Sequence, residues 1–179
     1  MNDFLTALRQ TMNHEGRGKR TNRVHDPGGD TYSGISRVFW PEWEGWYYLD
    51  RNAIGPVLDN LVEDFYRVNF WHRIQGDKVA SMMPKIAYEL FDSAVHCGVS
   101  KGVKFLQRAY NVANDRYPLV DDGILGPYTL ECLERYLETE PGNPDINSEI
   151  LLNCMDGEQY IFYKANPNHK NNRGWFRRL

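Results

Sequence analysis

Apolar side chains recur every three or four positions near the start of the chain, at Phe4, Leu5, Leu8 and Met12. This spacing predicts a first α-helix that begins after a cap at Asn2 or Asp3 and runs to about His14. Glu15 then lies at or just past the C-terminal end of that helix. Residues 16–36 hold five glycines among alternating polar and small residues, which predicts a loop and a short hairpin of two or three strands.

Helical periodicity dominates the remainder of the chain, and proline, glycine and serine signals mark where the helices begin or end. Pro56 opens a helix that carries an apolar stripe from Ile54 to Phe65 and ends around Trp71. Pro84 and Gly98 bound the next helix, and Ser100 caps the one after it. Gly126-Pro127 opens another helix, and the last helix begins near Asn147. The pattern therefore predicts a mainly α fold with one small β-hairpin near the N-terminus.

Composition narrows the class of protein. The chain has 179 residues, 41% of them hydrophobic, which suits one compact monomeric protein. A net charge of −3 argues against nucleic-acid binding. The three cysteines lack C-x-x-C spacing and the histidines lack H-E-x-x-H spacing, so neither a metal nor a cofactor is expected. The start of the chain has neither a signal-peptide pattern nor a membrane span, so we expect synthesis in the cytoplasm without stable membrane insertion.

The C-terminal end is basic. From Gln159 to Leu179 there is no acidic residue, while five residues are cationic: Lys164, Lys170, Arg173, Arg177 and Arg178. Two interpretations stay open at this stage. The segment either favours an anionic envelope surface, such as lipopolysaccharide, phospholipid or a wall polymer, or it is an ordinary solvated end.

The stretch from Glu15 to Thr31 carries residue types suited to the hydrolysis of a glycosidic bond. That reaction needs a protonated carboxylic acid beside the leaving oxygen and a second group that holds or activates water. Glu15 is placed at a helix end, and Asp26 and Thr31 follow on either side of a Pro-Gly-Gly turn that can fold them back towards it. The spacing alone is weakly specific, because exposed acids are common at helix ends and turns.

The same stretch resembles the N-terminal signature of glycoside hydrolase family 108, the N-acetylmuramidases. The resemblance rests on Glu15-Gly16 followed by Asp26-x-Gly28-Gly29-x-Thr31-x-x-Gly34-Ile35. The chain departs from the family in having Arg17 where the usual Glu-Gly-Gly has its second glycine. The order Glu, Asp, Thr is also similar to the catalytic triad of phage-type lysozymes. It implies a lysozyme-like fold, Glu15 as general acid, Asp26 and Thr31 positioning water, and Asp30 as the competing carboxylate.

Substrate-binding residues are predicted around this centre. The run from Trp40 to Tyr48 is rich in aromatic rings, which either pack in the protein or stack on sugars, and Trp43 is selected for stacking. The stretch "YRVNFWHRI" resembles the family's Y-x-x-x-F-W, which implies that Asn69 or Arg73 bonds N-acetyl groups. Asp30 and Tyr32, which flank Thr31, complete the predicted set.

The C-terminal half resembles the peptidoglycan-binding domain that follows this hydrolase domain. The matching motifs are Phe91-Asp92-x-Ala94-Val95-x-x-Gly98, Leu106-Gln107 and Asp122-Gly123-Ile124-Leu125-Gly126-Pro127-Tyr128-Thr129. The resemblance implies a muramidase catalytic region at residues 1–85 and a helical wall-binding region at residues 86–179 packed against it.

Together these features lead us to expect a bacteriophage endolysin, a bacteriolytic and antimicrobial lysozyme. It would cleave the β-1,4 bond between N-acetylmuramic acid and N-acetylglucosamine in bacterial peptidoglycan, reaching the wall in the periplasm after a holin opens the inner membrane. Two alternatives stay open: a wall-binding module without hydrolysis, and a different enzyme on the same polymer, either a lytic transglycosylase that leaves anhydro-muramic ends or a chitinase-like hydrolase.

Overall fold

The computed structural model describes residues 3–15, 18–22, 29–114, 116–139, 143–167 and 176. Within these residues the chain forms eight α-helices and one small antiparallel sheet. The elements are α1 (Asp3–Glu15), β1 (Arg20–Asn22), β2 (Asp30–Tyr32), β3 (Ile35–Ser36), α2 (Gly45–Leu49), α3 (Pro56–Tyr66), α4 (Gly76–Met82), α5 (Pro84–Cys97), α6 (Val99–Ala113), α7 (Pro127–Thr139) and α8 (Pro144–Ala165). The predicted fold class, mainly α and lysozyme-like with a small hairpin near the N-terminus, is confirmed. No helix in these ranges is long and apolar enough to cross a membrane.

Helix α1 forms because its apolar residues fall on one face. Phe4, Leu8 and Met12 are buried, with Ala7 between them, so one stripe of the helix faces the core. The helix ends at Glu15, one residue later than predicted. The predicted general acid is therefore the last residue of α1, and its side chain lies outside the described residues.

The sheet has the order β1-β2-β3, with each neighbouring pair antiparallel. Thr21 lies opposite Thr31 in the first pair, and Tyr32 lies opposite Ile35 in the second. Ser33 and Gly34 connect β2 to β3 with φ angles of 48° and 79°. Two consecutive residues with positive φ form the type I′ turn that matches the twist of a two-residue hairpin.

The predicted helical stretch from Pro56 to about Trp71 is present, but its hydrogen-bonding pattern changes after Tyr66. Helix α3 passes into a π-helical turn at Arg67–Trp71 and a 3-10 turn at His72–Ile74, and α4 follows. Gln75 adopts φ 47°, and a Cβ on Gly76 would lie 2.2 Å from the Trp71 ring. Trp71 therefore seats directly on the start of α4, a tertiary contact that the apolar pattern does not encode. Ile54 was placed in the buried stripe, but it precedes α3 and is 91% exposed.

The core is organised around α5, which lies among α1, α4, α6 and α8. Its residues Leu90, Phe91 and Ala94 have no exposed surface. Gly102 lets α6 approach closely, because a Cβ there would lie 3.0 Å from the Ala94 nitrogen. One hydrophobic cluster continues from α1 to α8, and the boundary at residue 85 falls in the first turn of α5. The division into a catalytic and a wall-binding region stays a prediction about function.

The predicted start of α5 at Pro84, its stop at Gly98 and the start of α7 at Pro127 are confirmed. Two other predicted starts are wrong. Gly98, and not Ser100, stands at the N-cap of α6. Helix α8 begins at Pro144 and not near Asn147, because the side chain of Asn143 accepts a hydrogen bond from the Ile146 N–H at 2.9 Å and caps the helix earlier.

Candidate active site

The end of α1 is tied to the sheet through the β2–β3 turn. Gly18, three positions after Glu15, donates its N–H to Ser33 Oγ at 2.8 Å, and the Ser33 N–H donates to the Lys19 carbonyl at 3.1 Å. Ser33 is 1% exposed, and its carbonyl accepts the Tyr66 hydroxyl at 2.8 Å. Ser33 therefore joins the segment after Glu15, the sheet and α3 at one point.

Ser33 shapes this site, although it belongs to none of the residues predicted to be functional. A signal was present, since Ser33-Gly34 stands between two short runs of β-forming residues, as a two-residue hairpin turn requires. The sequence does not show that Gly18 and Tyr66 both form hydrogen bonds to this turn.

Thr31 presents a hydroxyl whose bonds are well defined. Its Oγ1 donates to the Thr21 carbonyl at 3.2 Å and lies 2.6 Å from Thr21 Oγ1 on the neighbouring strand. Either hydroxyl can be the donor of the shorter bond, and in both cases Thr31 Oγ1 accepts at most one hydrogen bond from Thr21. The half-buried Thr31 oxygen then keeps one lone pair, which can accept a hydrogen bond from a water molecule.

Asp30 has a very different environment. Arg20 binds it in a bidentate manner, with Nε 3.0 Å from Oδ1 and Nη2 2.7 Å from Oδ2. Arg37 lies 3.6 Å from the same carboxylate and itself forms two bonds, of 2.8 and 2.6 Å, to Asp50. These hydrogen bonds, chiefly that from Arg20, hold the pKa of Asp30 below its usual value. Asp30 is therefore an ionised, fully paired carboxylate in a cluster of Arg20, Asp30, Arg37 and Asp50.

Asp30 and Thr31 also point to opposite faces of β2, because successive side chains of a strand alternate. Tyr32, on the same face as Asp30, stacks on Trp43 with ring centroids 6.2 Å apart, and Arg20 donates to the Leu49 carbonyl of α2 at 3.1 Å. Thr31 instead meets Thr21. The structure thus separates the competing carboxylate from the predicted water-binding hydroxyl. Asp26, the first choice for that role, lies outside the described residues.

The two aromatic residues predicted to bind substrate pack on one another. Tyr32 is only 9% exposed, and burial, followed by the charge of Asp59, raises its pKa. Trp43 is half-buried, and it packs edge-on against Trp46 with centroids 5.1 Å apart. A Cβ on Gly45 would lie 2.2 Å from the Trp43 ring. Larger exposed aromatic surface belongs to three neighbours: Phe39, Trp40 and Tyr47, exposed by 68%, 36% and 57%.

The remaining two predicted binding residues lie beyond α3. Asn69 is on the π-helical turn, where its amide nitrogen donates to the Phe65 carbonyl at 2.9 Å. Arg73 is on the exposed side of the 3-10 turn. The Asn69 amide is therefore oriented by its own helix, and the role of both residues in binding sugars stays a prediction.

A cavity of about 400 Å³ lies between α1, α5 and α8. It is lined by Gln10, Thr11, Asn13, Lys85, Tyr88, Glu89, Asp92 and Leu152. The α1 residues of this lining belong to the last turns before Glu15. Thr11 is 1% exposed, and its hydroxyl oxygen has no hydrogen-bond partner within the described residues. This polar cavity is a concave surface beside α1, the helix that carries the predicted acid.

Known proteins relate to this arrangement at two levels. The family model "Glycosyl hydrolase 108" matches residues 8–98, about half of the chain, which include the end of α1, the sheet and α5. The structure of SagA from Brucella abortus is similar with a TM-score of 0.70 and 22% identity, covering 98% of this chain and 88% of that one. At this identity the likeness concerns the fold alone. No curated protein sequence matches the chain.

Proposed function

Because the chain belongs to the glycosyl hydrolase 108 family, we propose that it hydrolyses the β-1,4 bond between N-acetylmuramic acid and N-acetylglucosamine. Membership makes the chain a glycoside hydrolase, and it implies muramidase-type hydrolysis of peptidoglycan. The choice of bond, the residues that act on it and the biological setting are our proposals.

One observation carries the proposed mechanism: Gly18 and Ser33 tie the segment after the helix end at Glu15 to the sheet that presents the Thr31 hydroxyl. In this mechanism Glu15 protonates the leaving oxygen as the glycosidic bond breaks. A water molecule attacks the opposite face of the sugar, giving its proton to Asp26 while one of its hydrogen bonds is donated to Thr31 Oγ1. The tie at Ser33 supports this assignment by limiting how far the helix end and the sheet can separate.

Asp26 is preferred to Asp30 as the second carboxylate for a physical reason. Asp30 already accepts two hydrogen bonds from Arg20, and these lower its pKa and its ability to take a proton from water. It also faces away from Thr31 across the strand. A carboxylate in that state is better suited to holding the sheet against α2 than to activating a nucleophile.

We also propose that the protein is a phage endolysin that acts on the wall after holin-dependent release. The predicted wall-binding region, residues 86–179, would contribute wall binding, and its helices α6 and α8 pack against α5. The basic residues from Lys164 to Arg178 would favour the anionic envelope of the host.

The decisive experiment compares the parent with Glu15→Gln on purified peptidoglycan sacculi. Gln is nearly isosteric but has no acidic proton, so hydrolysis should fall by about 10²-fold or more while folding and sacculus binding persist. Mass spectrometry of the products separates the alternatives, since hydrolysis leaves reducing muramic ends, transglycosylation leaves anhydro-muramic ends and a binding module leaves none. Near-parental release of reducing ends by the Gln variant contradicts the assignment of Glu15.

A further inference from the structure

A second cavity, of about 420 Å³, opens between α6 and α8, outside the family-matched residues 8–98. It is lined by Ser100, Lys101, Lys104, Phe105, Arg108 and Phe162. None of these residues belongs to the proposed reaction centre. The lining combines cationic groups with aromatic rings, and this combination points to a particular class of ligand.

Aromatic side chains form one wall of this cavity. Phe105 of α6 is 3% exposed, and its ring lies 5.5 Å from that of Phe162 of α8 with a tilt of 58°. Lys101 Nζ lies 4.8 Å from the centroid of Phe162. The half-buried Phe162 thus offers an apolar face directly beside a positive charge.

The cations of the cavity are not equivalent. Arg108 already binds Asp121, with Nε 2.7 Å from Oδ2, and its Nη1 lies 3.6 Å from Glu158 Oε2. Among the residues that the structure describes, Lys101 and Lys104 form no ion pair within 4.0 Å. Their ammonium groups remain available to an incoming anion, and the charge of Lys104 also helps to lower the pKa of the nearby Asp121 and Asp122.

The Asp122-Gly123 turn supports α6, the helix that carries the two lysines of the cavity. Gln107 donates to Asp122 Oδ1 at 2.8 Å and accepts the Gly123 N–H at 2.9 Å, so the turn is fixed to α6. Gly123 has φ 78°, and a Cβ there would lie 2.3 Å from Ser100 Oγ. The motif that resembled a wall-binding domain thus braces the start of α6, where Lys101 and Lys104 lie.

We propose that this cavity binds a carboxylate-bearing polymer of N-acetylated amino sugars, with the carboxylate at Lys101 and Lys104 and an acetyl methyl or sugar face on Phe162. The inference rests on the proposed function and adds a ligand site remote from the reaction. Peptidoglycan offers two sources of this chemistry: the free carboxylates of its peptide stems, and the lactyl carboxylate of muramic acid once a stem has been removed. Both place an anion on the same polymer as acetylated sugars, and the lactyl carboxylate is carried by the acetylated sugar itself.

The test measures binding by co-sedimentation of the full chain, in the Glu15→Gln background, with three insoluble polymers. These are intact sacculi, sacculi stripped of their stems by an amidase, and chitin, which has the acetylated sugar but no carboxylate. Lys101→Ala/Lys104→Ala should weaken binding to one or both sacculus preparations by about fivefold, as expected for two exposed charge contacts. Arg9→Ala/Lys78→Ala, which removes two exposed cations outside this cavity, should leave binding unchanged.

The preparation on which the lysine effect appears identifies the carboxylate source. Phe162→Leu should weaken the same binding, because an aliphatic side chain offers no flat face to the sugar. Three results would overturn the proposal. The Lys101→Ala/Lys104→Ala variant could bind like the parent, the control variant could lose as much binding, or the Lys101→Ala/Lys104→Ala variant could lose as much binding to chitin as to sacculi. Since the readout is pelleted protein, failure of the proposed hydrolysis appears separately, as an absence of reducing ends from the parent.

Discussion

The hydroxyl of Tyr66 donates to the carbonyl of Ser33 at 2.8 Å, across 33 positions of sequence. Both residues are almost fully buried, at 2% and 1% exposed. The bond fixes the hairpin turn to the last residue of α3, and the same turn holds the segment that follows Glu15 through Gly18. One buried contact therefore acts on the placement of both sides of the proposed reaction centre.

Tyr66→Phe should destabilise the protein by about 1–3 kcal/mol, because it leaves the buried Ser33 carbonyl without its donor. Hydrolysis should lose kcat more than KM, since misplaced groups slow the reaction without removing contacts to the sugar. Thermal unfolding and kinetics on sacculi check both effects. Tyr47→Phe, at an exposed tyrosine, is the control, and equal melting temperatures for the two variants would show that the bond contributes nothing.

Asp30→Asn should lower stability by about 1 kcal/mol while leaving most of the activity, because Asp30 supports the sheet and does not serve as the base. The folded-state pKa of Asp30 is depressed, so its stabilisation is present above the unfolded pKa and is lost as the pH falls through the folded value. The difference between parent and variant should thus be full at neutral pH and shrink below about pH 4.

Denaturation curves between neutral and acid pH test this pH dependence, with Glu42→Gln as an exposed acid in the neighbouring segment for control. A much greater loss of activity for Asp30→Asn than for Asp26→Asn would mean that the two carboxylates have been assigned in the wrong order.

Thr31→Val removes the proposed water-binding oxygen while keeping the shape of the side chain. We expect kcat to fall by about tenfold, the scale of one hydrogen bond, with recovery in Thr31→Ser. Thr21→Val should have a smaller effect, because the Thr21 hydroxyl contacts Thr31 Oγ1 and would not itself bind the water. If Thr21→Val proves as harmful to kcat as Thr31→Val, the pair matters for the sheet and not for the water.

The predictable parts of this fold are those with local causes. Phe4, Leu8 and Met12 repeat at helical spacing, so α1 and the position of Glu15 at its end followed from the sequence. The end at Gln75 of the helical stretch that begins with α3 did not, because there the Trp71 ring lies against the chain at Gly76. A run of apolar residues looks the same whether or not a later segment packs on it.

The candidate site shows the same division. The residue types of Glu15, Asp26 and Thr31 were recognisable from chemistry and from the resemblance to a family. The pairing of Asp30 was not, because Arg20 of β1 and Arg37, which also binds Asp50, become its neighbours only in the folded chain. Burial of Tyr32 against Trp43 likewise arises from packing between the sheet and the aromatic segment.

The basic tail also contains Phe176, whose packing against α8 changes how the role of the tail must be tested. Phe176 is half-buried, and its ring lies 5.9 Å from Tyr160 and 6.0 Å from Tyr163 of α8. Truncation before Lys170 would remove this packing together with the charges. The charges should therefore be removed alone, by changing to Gln the four tail cations Lys170, Arg173, Arg177 and Arg178.

The charge variant should act less well on intact outer-membraned cells and normally on stripped sacculi, and added salt should reproduce the first effect in the parent. Phe176→Ala should instead lower thermal stability and affect both substrates alike. Equal losses of the charge variant on cells and sacculi would show that the tail does not serve to approach the envelope.

The stereochemistry of the product tests the role of Asp26. If Asp26 activates water opposite Glu15, the reaction inverts, and cleavage of a β-1,4 bond first yields the α-anomer, which proton NMR detects before mutarotation. The two carboxyl groups should then lie roughly 6.5–9.5 Å apart, leaving room for the water, whereas about 5 Å would indicate a covalent intermediate and retention. We expect inversion because the lone pair that Thr31 Oγ1 keeps can orient an attacking water for Asp26. Asp26→Asn should accordingly cost more rate than Thr31→Val, and a β-anomer as first product would rule out this role for Asp26.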